Sequence, residues 1–336
     1  MTAEPQQPTP RPLWRKPVVW VGFILSGLAM GTFIALFDLG QVSRSLMRAD
    51  PGWMGLASAA FLISFLARSL RWKLLITPMK TLPFGQVRDV LWTGFMVNSL
   101  LPARAGEIAR PLILWKVAGT SRRGGLASVG VERIFDGLVL VSLISLLAYL
   151  FEVPRWARNM GHITTAVLVA ALIVVVWLAF HHRSFFATGE RALFFLPARW
   201  RRKILGFFER FVEGTQSLRD PRLVLGVLAV TLTVWSLELV VYHSVLRAFD
   251  IQLPFWAAGL ALTVTNFGIA APSAPSAVGV FEAACSGAVI ALGLDPELAL
   301  AYAIGVHLMM FFWVVGVGQI LMWRLGLKFK DVTRTA

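Results

Sequence analysis

The sequence has little cysteine and little negative charge. Cys285 is the one cysteine in 336 residues, which excludes an intrachain disulfide and a cysteine-based metal cluster. Only 18 residues are acidic against 32 Lys and Arg, for a net charge of +14. These cations cluster in short loops beside apolar segments, where they set membrane topology rather than bind a polyanion. We therefore expect no nucleic-acid partner, and we expect no metal ion and no cofactor.

What the sequence has in abundance is apolar surface. Hydrophobic residues make up 57% of the chain and charged residues 15%, with a mean hydropathy of +0.70. A soluble domain cannot bury that much apolar surface, so an integral membrane protein with helical spans is predicted. The apolar run after Lys16 is too long for a cleavable signal peptide. Residues 1–17 are rich in Pro and Gln and are expected to form a disordered cytoplasmic tail.

The apolar segments predict an all-α integral membrane fold. Two of them, 84–116 and 255–292, are interrupted by prolines into pieces too short to cross about 30 Å of hydrocarbon. We interpret these two as broken, re-entrant helical hairpins, which membranes tolerate where protein or a watery cavity surrounds the break. Six further segments are long enough to be full transmembrane helices: 18–37, 53–70, 126–150, 163–180, 223–245 and 298–323.

The distribution of basic loops predicts the topology. Both termini and the basic loops are assigned to the cytoplasm, and the loops poor in Lys and Arg to the outside. All basic loops lie on the cytoplasmic side only if the two hairpins enter the membrane from opposite faces. This arrangement predicts an inverted repeat of about 53–150 and about 223–323. The transmembrane domain then spans 18–326, and 327–336 form a cytoplasmic tail. A basic amphipathic helix at about 190–215 is expected to lie on an anionic leaflet.

The first hairpin carries charge at its predicted tip. Arg104, Glu107 and Arg110 recur every three residues and share an arc of about 120° on one helix face. An Arg inside the bilayer costs at least about 2.5 kcal/mol, so these residues suggest a functional site. They either hold a lipid phosphate by bidentate contacts or, as Arg104 with Glu107, neutralise each other to hold the tip.

The second hairpin repeats the pattern of the first, from an Asn through prolines to a Gly and a Glu. The matching residues are Asn98 and Asn266, and Glu107 and Glu282, with Pro275 and Gly279 in the second tip. A buried carboxyl can take up a proton during transport, and it can equally cap a half-helix or pair with Arg. The two Asn are candidates for contact with a substrate headgroup or with exposed backbone at the turns.

Four further intramembrane charges have no catalytic pattern. Glu132, Arg133 and Asp136 lie on one helical arc and form a gate or an interfacial ion-pair network. Glu238 is a further candidate for this gate or network, although, like His307, it is more readily explained as a satisfied interhelical contact than as a functional group. The sequence shows no phosphate-binding Gly-rich loop, no metal-ligand cluster and no set of a nucleophile with its base.

Three motifs resemble one known family. They are Pro102-x-Arg104-x-Gly106-Glu107-x-x-Arg110, Glu132-Arg133-x-x-Asp136, and the stretch 278–284, which ends in Phe-Glu-Ala-Ala. Together they resemble the lysylphosphatidylglycerol synthase transmembrane (flippase-like) family over residues 15–325. The family's tip usually contains Pro-Gly-Gly, whereas this chain has Pro275-Ser276-Ala277-Val278-Gly279 there.

The resemblance implies movement of a lipid headgroup between leaflets. Aminoacylation is not expected, because the sequence ends at Ala336 without the soluble aminoacyl-transferase domain. The expected cargo is an anionic phospholipid or a polyprenyl or hopanoid lipid, carried by alternating access in a bacterial inner membrane. A homodimer or an enzyme of lipid synthesis is the protein partner to consider. The alternatives are an accessory subunit and an enzyme, such as a membrane-embedded transferase.

Overall fold

The computed structural model describes residues 17–101, 105–180, 197, 200, 220–270 and 273–329. Within these residues the fold is all-helical, with eleven α-helices and a short 3-10 turn at Pro275–Ala277. The helices are α1 (Pro17–Leu36), α2 (Leu39–Met47), α3 (Pro51–Ile76), α4 (Phe84–Leu100), α5 (Ala105–Ala118), α6 (Arg122–Leu150), α7 (Arg155–Phe180), α8 (Pro221–Ala248), α9 (Phe255–Gly268), α10 (Val280–Ile290) and α11 (Pro296–Arg324).

Aspartate caps define where the long helices begin. Asp50 accepts a hydrogen bond from the Trp53 N–H at 2.9 Å, and Asp295 accepts one from the Leu298 N–H at 3.0 Å. Asp220 caps α8 in the same way. Proline occupies the first turn of α3, α8 and α11, where its missing N–H costs nothing and its fixed φ favours the helix.

Four helices are long and apolar enough to cross a membrane. They are Pro51–Ile76, Gly124–Leu150, Pro221–Ala248 and Pro296–Arg324, and they contain four of the predicted spans. The first predicted span, 18–37, falls on α1, but the loop expected after it is partly helical. A bend of 93° separates α1 from α2, so this pair is a fifth candidate span. The predicted 163–180 span lies within α7. The fold is thus an all-α, multi-pass membrane protein.

Both proline-broken segments fold as helical hairpins. The helices of the first have 17 and 14 residues and those of the second 14 and 11, shorter than the roughly 20 residues that a membrane span needs. The Lys80 ammonium donates to the Ala118 carbonyl at 2.6 Å, which joins the chain before α4 to the end of α5. The first hairpin therefore returns to the side from which it starts.

Close backbone contact holds α4 and α5 together. A Cβ added at Gly106 would lie 2.1 Å from the Gly94 carbonyl oxygen, so only glycine fits at that crossing. A Cβ at Gly94 would in turn lie 2.8 Å from the Cβ of Arg110. The crossing brings α5, with its charged residues, directly against α4.

The long helices surround the hairpins. Helices α3 and α8 pack along each other in opposite directions, because the Asp50 N–H at the start of α3 donates to the Ala248 carbonyl at the end of α8, at 2.8 Å. Helix α4 packs on α11, and α9 packs on α6. Helix α1 covers the second hairpin tip, where the Ala274 N–H donates to Ser26 Oγ at 3.1 Å.

Several sequence predictions fall outside the described residues. These are Pro102 and Arg104 of the first motif, the tail at 1–16, and the C-terminal residues 330–336. The predicted amphipathic helix at 190–215 also lies outside them, apart from Pro197 and Trp200.

Candidate functional site

A cavity of about 420 Å³ lies between the two hairpin tips, with walls from α3, α6, α8 and α11. The first hairpin contributes Asn98, Glu107 and Arg110, and the second contributes Asn266. Three of the predicted gate residues, Arg133, Asp136 and Glu238, also line it. The structure thus brings predicted residues from distant parts of the sequence to one space.

The remaining predicted residues lie just behind the cavity wall. Glu132 is fully buried beneath Arg110 and Arg133. Pro275 and Gly279 lie in the second tip, whose neighbouring residues Ala274 and Ser276 line the cavity. Glu282 contacts His307, and His307 lines the cavity.

Glu132 is the centre of a buried ion-pair network. Arg110 donates two hydrogen bonds to it, from Nη2 to Oε2 at 2.8 Å and from Nη1 to Oε1 at 3.4 Å. Arg71 lies 3.0 Å and Arg133 3.1 Å from the Glu132 Oε1. One carboxylate therefore contacts three guanidinium groups from three helices, α3, α5 and α6 (its own), which is the kind of dense pairing that a buried charge requires.

Asp136 extends the network by one turn of α6. It accepts a bidentate pair from Arg71, at 2.6 and 3.2 Å, and a hydrogen bond from the Trp235 indole at 3.1 Å. Arg133 lies 3.3 Å from Asp136 and 3.9 Å from Glu107. The side chains of Arg133 and Glu107 are 37% and 31% exposed, so they form the part of the network that faces the cavity.

A second buried pair lies beside the first network. Arg68 on α3 is 2.9 Å from the Glu238 Oε1 on α8, and Ser64 donates to the same oxygen at 2.8 Å. The Arg68 guanidinium also lies within 6 Å of the Phe65, Phe95 and Trp235 rings, which is favourable for cation–π contact. Glu238 is therefore a satisfied interhelical contact, and it also lines the cavity.

Among the described residues, which do not include Arg104, the network contains three cations and three carboxylates. Arg71, Arg110 and Arg133 face the three carboxylates of Glu107, Glu132 and Asp136. The sequence suggests a surplus cation at the first tip, because Arg104 and Arg110 flank Glu107 alone. In the fold Arg110 instead pairs with Glu132, whose own position in α6 the tip motif does not reveal.

The second tip holds a line of three hydrogen-bonded side chains. Ser276 Oγ lies 3.1 Å from His307 Nε2, and His307 Nδ1 lies 2.5 Å from the Glu282 Oε1. The other Glu282 oxygen accepts a hydrogen bond from the Gly279 N–H at 2.7 Å, which caps α10. The sequence places Ser276 and His307 thirty-one residues apart, so it does not predict this line.

The backbone of the second tip is left-handed at residues that are not glycine. Ser276 and Ala277 have φ of 57° and 59°, and Gly279 has φ of 84°. Two consecutive left-handed L-residues cost roughly 1–2 kcal/mol each. Ser276 and Ala277 therefore carry side chains at backbone positions that glycine would occupy without strain.

The two asparagines have different surroundings. Asn266 Nδ2 donates to the Leu262 carbonyl at 2.8 Å within α9. Asn98 Oδ1 is buried, and in the described part of the chain it has no hydrogen-bond partner. An acceptor left open beside the cavity is available to a donor on a ligand.

Arg68, Arg71 and Ser276 are the site residues that the sequence interpretation does not select. Both Arg68 and Arg71 are buried in the ion-pair networks. Their signal is the spacing of Ser64, Arg68 and Arg71, which repeats every four and three residues along an apolar helix. Ser276 offers no such signal, because its role depends on a distant histidine.

The fold and the site together define the class of this protein. Long apolar helices surround two helical hairpins whose tips meet at an internal, partly polar cavity, which is the architecture of a multi-pass membrane protein with a central site. The sequence model of the lysylphosphatidylglycerol synthase TM region matches residues 19–318. The chain belongs to this family.

Several relatives are similar to most of the chain. A UPF0104 membrane protein of Methanothermobacter thermautotrophicus is 23% identical over 304 residues, covering 84% of this chain and 87% of the relative. A UPF0104 membrane protein of Pyrococcus horikoshii is 23% identical over 293 residues, 81% of this chain and 86% of the relative.

The glycosyltransferase AglD of Haloferax volcanii is 26% identical over 334 residues, 90% of this chain. The chain spans about half the length of AglD, 53% of it. The similarity to AglD therefore concerns only part of that protein.

Proposed function

We propose that the protein is a lipid transporter that moves the headgroup of a phospholipid or an isoprenoid-linked lipid between leaflets. The observation that carries the proposal is the cavity at which the two hairpin tips meet. Polar residues from both tips line it, while Phe61, Phe65 and Phe311 supply an apolar wall. Such a space suits a molecule with a polar headgroup and an apolar chain.

Alternating access requires two halves that move against each other, and the contacts between helices support two equivalent halves. We match α3, α4, α5 and α6 in this order with α8, α9, α10 and α11. Every pair of helices that packs together within or between these two units then corresponds to a pair that also packs together. For example, α4 on α11 corresponds to α9 on α6, and α5 on α6 corresponds to α10 on α11. An inverted repeat of about 53–150 and about 223–323 explains this correspondence, with six full spans and two re-entrant hairpins.

The ion-pair network supplies a substrate site of defined character. Arg133 and Glu107 face the cavity and are partly exposed, so they can exchange their mutual contact for contacts to a headgroup. Arg110 and Arg68 lie one layer deeper and are held in fixed orientations by Glu132 and Glu238. Guanidinium groups held in this way are suited to phosphate or to sugar hydroxyls.

The relatives direct the choice of cargo. AglD is named a glycosyltransferase, so a glycosylated polyprenyl lipid stands beside a phospholipid as a candidate. In this proposal the protein resides in the cytoplasmic membrane with both termini in the cytoplasm, acts on membrane lipids and needs no cofactor. The tails at 1–17 and 327–336 and the basic segment at 190–215 then face the cytoplasmic leaflet.

A leaflet-resolved assay in proteoliposomes tests the proposal. Fluorescent lipids with phosphate, aminoacyl, phosphosugar and neutral sugar headgroups are reconstituted with the purified protein, and a membrane-impermeant quencher reports the leaflet of each. We expect faster exchange of at least one headgroup class than in protein-free vesicles. Glu107→Gln should slow that exchange about tenfold, equal to about 1.4 kcal/mol of barrier, because it removes the partly exposed carboxylate that lies beside Arg133 at the cavity.

Glu152→Gln is the matched control, since the same change of charge falls on an exposed residue after α6. It should leave the rate unchanged. Exchange at the protein-free rate for every headgroup, by a protein that is folded in the vesicles, would refute the transporter.

An enzyme is the second candidate, and one observation favours it. The line of Ser276, His307 and Glu282 is a nucleophile with a base and an orienting carboxylate.

A further inference from the structure

The hydroxyl of Ser276 contacts a histidine nitrogen, whereas several other serine hydroxyls contact backbone carbonyls and that of Ser64 contacts the Glu238 carboxylate. Within helices, Ser69, Ser99, Ser145 and Ser286 donate to carbonyls three or four residues earlier, as serine does when it satisfies its own backbone. Ser276 Oγ instead faces a histidine nitrogen at 3.1 Å. It is therefore positioned to give its proton to a base.

The histidine is held in one orientation from two sides. Glu282 Oε1 lies 2.5 Å from His307 Nδ1, and the Phe281 ring stacks on the imidazole with centroids 4.3 Å apart. When Nδ1 carries the proton and donates it to the carboxylate, Nε2 has a free lone pair toward Ser276. This tautomer is the one that a general base requires.

The carboxylate is itself fixed by the backbone. Glu282 Oε2 accepts the Gly279 N–H at 2.7 Å, so the carboxylate cannot rotate away from His307 without uncapping α10. The carboxylate thus orients the imidazole, and the imidazole in turn faces the hydroxyl. That order is the diagnostic arrangement of an activated serine.

The backbone at Ser276 is strained, and the site is open to a substrate. Its φ of 57° places the hydroxyl on a tight left-handed turn, four residues before the start of α10 at Val280. Strain of this kind gathers at functional positions, and a nucleophilic serine on a strained turn before a helix is known from hydrolases. Ser276 and His307 both line the cavity, where Met310, Phe281 and Phe311 give an apolar surface for an acyl chain.

We propose that Ser276, His307 and Glu282 form a catalytic triad that cleaves or transfers the acyl group of a lipid ester held in the cavity. Ser276 Oγ attacks the ester carbonyl while His307 Nε2 takes the hydroxyl proton, and the C–O bond to the leaving alcohol breaks as His307 returns that proton to the alcohol oxygen. The acyl group is then an ester of Ser276. Water, or the hydroxyl of an acceptor lipid, attacks this ester with His307 again taking and returning a proton, so atoms and charges balance.

The proposal goes beyond transport and does not depend on it. The covalent step needs the triad and a bound ester, whereas transport needs the cavity to open to both leaflets. Both activities share the cavity, which places the ester bond of a bound lipid near the second hairpin tip and its headgroup near the network of Arg133 and Glu107.

The test uses the purified full-length protein in detergent micelles with an alkyl fluorophosphonate probe, which reacts with activated serines. Peptide mass spectrometry locates the adduct, and release of p-nitrophenol from p-nitrophenyl octanoate measures turnover. We expect an adduct at Ser276 in the wild type and none in Ser276→Gly. Glycine adopts the φ of 57° without strain, so this variant keeps the turn while it removes the Cβ and the hydroxyl.

The base is tested separately. His307→Gln should slow labelling of Ser276 at least about a hundredfold, the usual contribution of general base catalysis. Ser286→Ala is the control, because Ser286 lies on α10 with Glu282 and its hydroxyl donates to the Glu282 carbonyl rather than to the histidine. It should label at the wild-type rate.

Two results would overturn the proposal. One is a folded wild type without an adduct at Ser276 under conditions that label a reference serine hydrolase. The other is a labelling rate that His307→Gln leaves unchanged while the variant elutes as the wild type does. Lipid exchange without an adduct would refute the triad and leave the transporter proposal standing. An adduct without lipid exchange would support the triad and refute the transporter.

Discussion

Arg110 and Glu132 form a bidentate ion pair between the first hairpin and α6, with the closer nitrogen and oxygen 2.8 Å apart and both side chains buried. The Arg110 guanidinium lies 4.6 Å from the centre of the Trp72 ring on α3, so it is held between a carboxylate and an aromatic face. A buried guanidinium without such partners would cost several kcal/mol. The pair therefore fixes the hairpin to two long helices.

The first prediction concerns the carboxylate of this pair. Glu132→Gln keeps the size of the side chain but leaves Arg71, Arg110 and Arg133 with one negative partner fewer. We expect a loss of about 3–5 kcal/mol in the free energy of unfolding, since the change uncovers buried positive charge. Thermal unfolding in detergent, followed by intrinsic tryptophan fluorescence, measures it.

Arg44→Ala provides the control for that measurement. Arg44 pairs with Asp38 at 4.0 Å, with side chains 59% and 60% exposed, and exposed pairs contribute less than about 1 kcal/mol. An equal effect of the two substitutions would show that the Glu132 network does not stabilise the fold.

The second prediction tests the helix crossing in the first hairpin. Gly106→Ala adds a methyl group 2.1 Å from the Gly94 carbonyl oxygen and 2.6 Å from the Asn98 backbone nitrogen. Neither atom belongs to a flexible side chain, so α4 and α5 must separate, at a cost of about 3 kcal/mol or more. We expect a large loss of folded protein on size-exclusion chromatography.

Gly85→Ala, at the start of α4, has nothing within 4 Å of its added Cβ and serves as the control. It should keep or slightly raise stability, because alanine favours a helix over glycine by about 0.5–1 kcal/mol. Normal yield and stability of Gly106→Ala would contradict the hairpin geometry.

The third prediction uses the left-handed turn at the second tip. Ala277 has φ of 59°, so Ala277→Gly should raise the free energy of unfolding by about 1 kcal/mol through relief of strain. Ala283 is exposed and within α10, and Ala283→Gly there should lower it by about 0.5–1 kcal/mol. Opposite signs are expected for the same chemical change. Destabilisation by both would mean that the turn is not left-handed at Ala277.

The sequence predicts the fold well where one local pattern decides the structure. Long apolar runs give α3, α6, α8 and α11, and a proline-broken run with short halves gives each hairpin, because span length and backbone satisfaction in lipid leave few alternatives. The break between α1 and α2 is harder to predict from the sequence. Asp38 caps a new helix there, whereas the sequence suggests only a loop.

The site is less predictable, because its contacts join residues far apart in sequence. Asn98, Glu107 and Asn266 are identifiable from the two matching motifs, and all three line the cavity. The partner of Arg110 is not identifiable from its own motif, since Glu132 lies 22 residues away and reaches it only after α5 and α6 pack. The same holds for His307, whose partners Glu282 and Ser276 lie on other elements.

The last prediction concerns topology. The contact of Lys80 with the Ala118 carbonyl puts both ends of the first hairpin on one side of the protein. The contact of Asp50 with Ala248 puts the start of α3 and the end of α8 together at the other end of α3. Single cysteines at Lys80 and Lys116 should therefore share one side of the membrane, and single cysteines at Asp250 and Asp295 the opposite side.

A Cys285→Ala background allows these positions to be labelled one at a time, because Cys285 is the one native cysteine. A membrane-impermeant maleimide added to intact cells should modify the 250 and 295 positions first, and the 80 and 116 positions only after permeabilisation. Cys285 is buried, so its removal should not alter this pattern. If position 116 were labelled from the side opposite to position 80, the first hairpin would cross the membrane, and the inverted repeat and the alternating-access mechanism built on it would be lost.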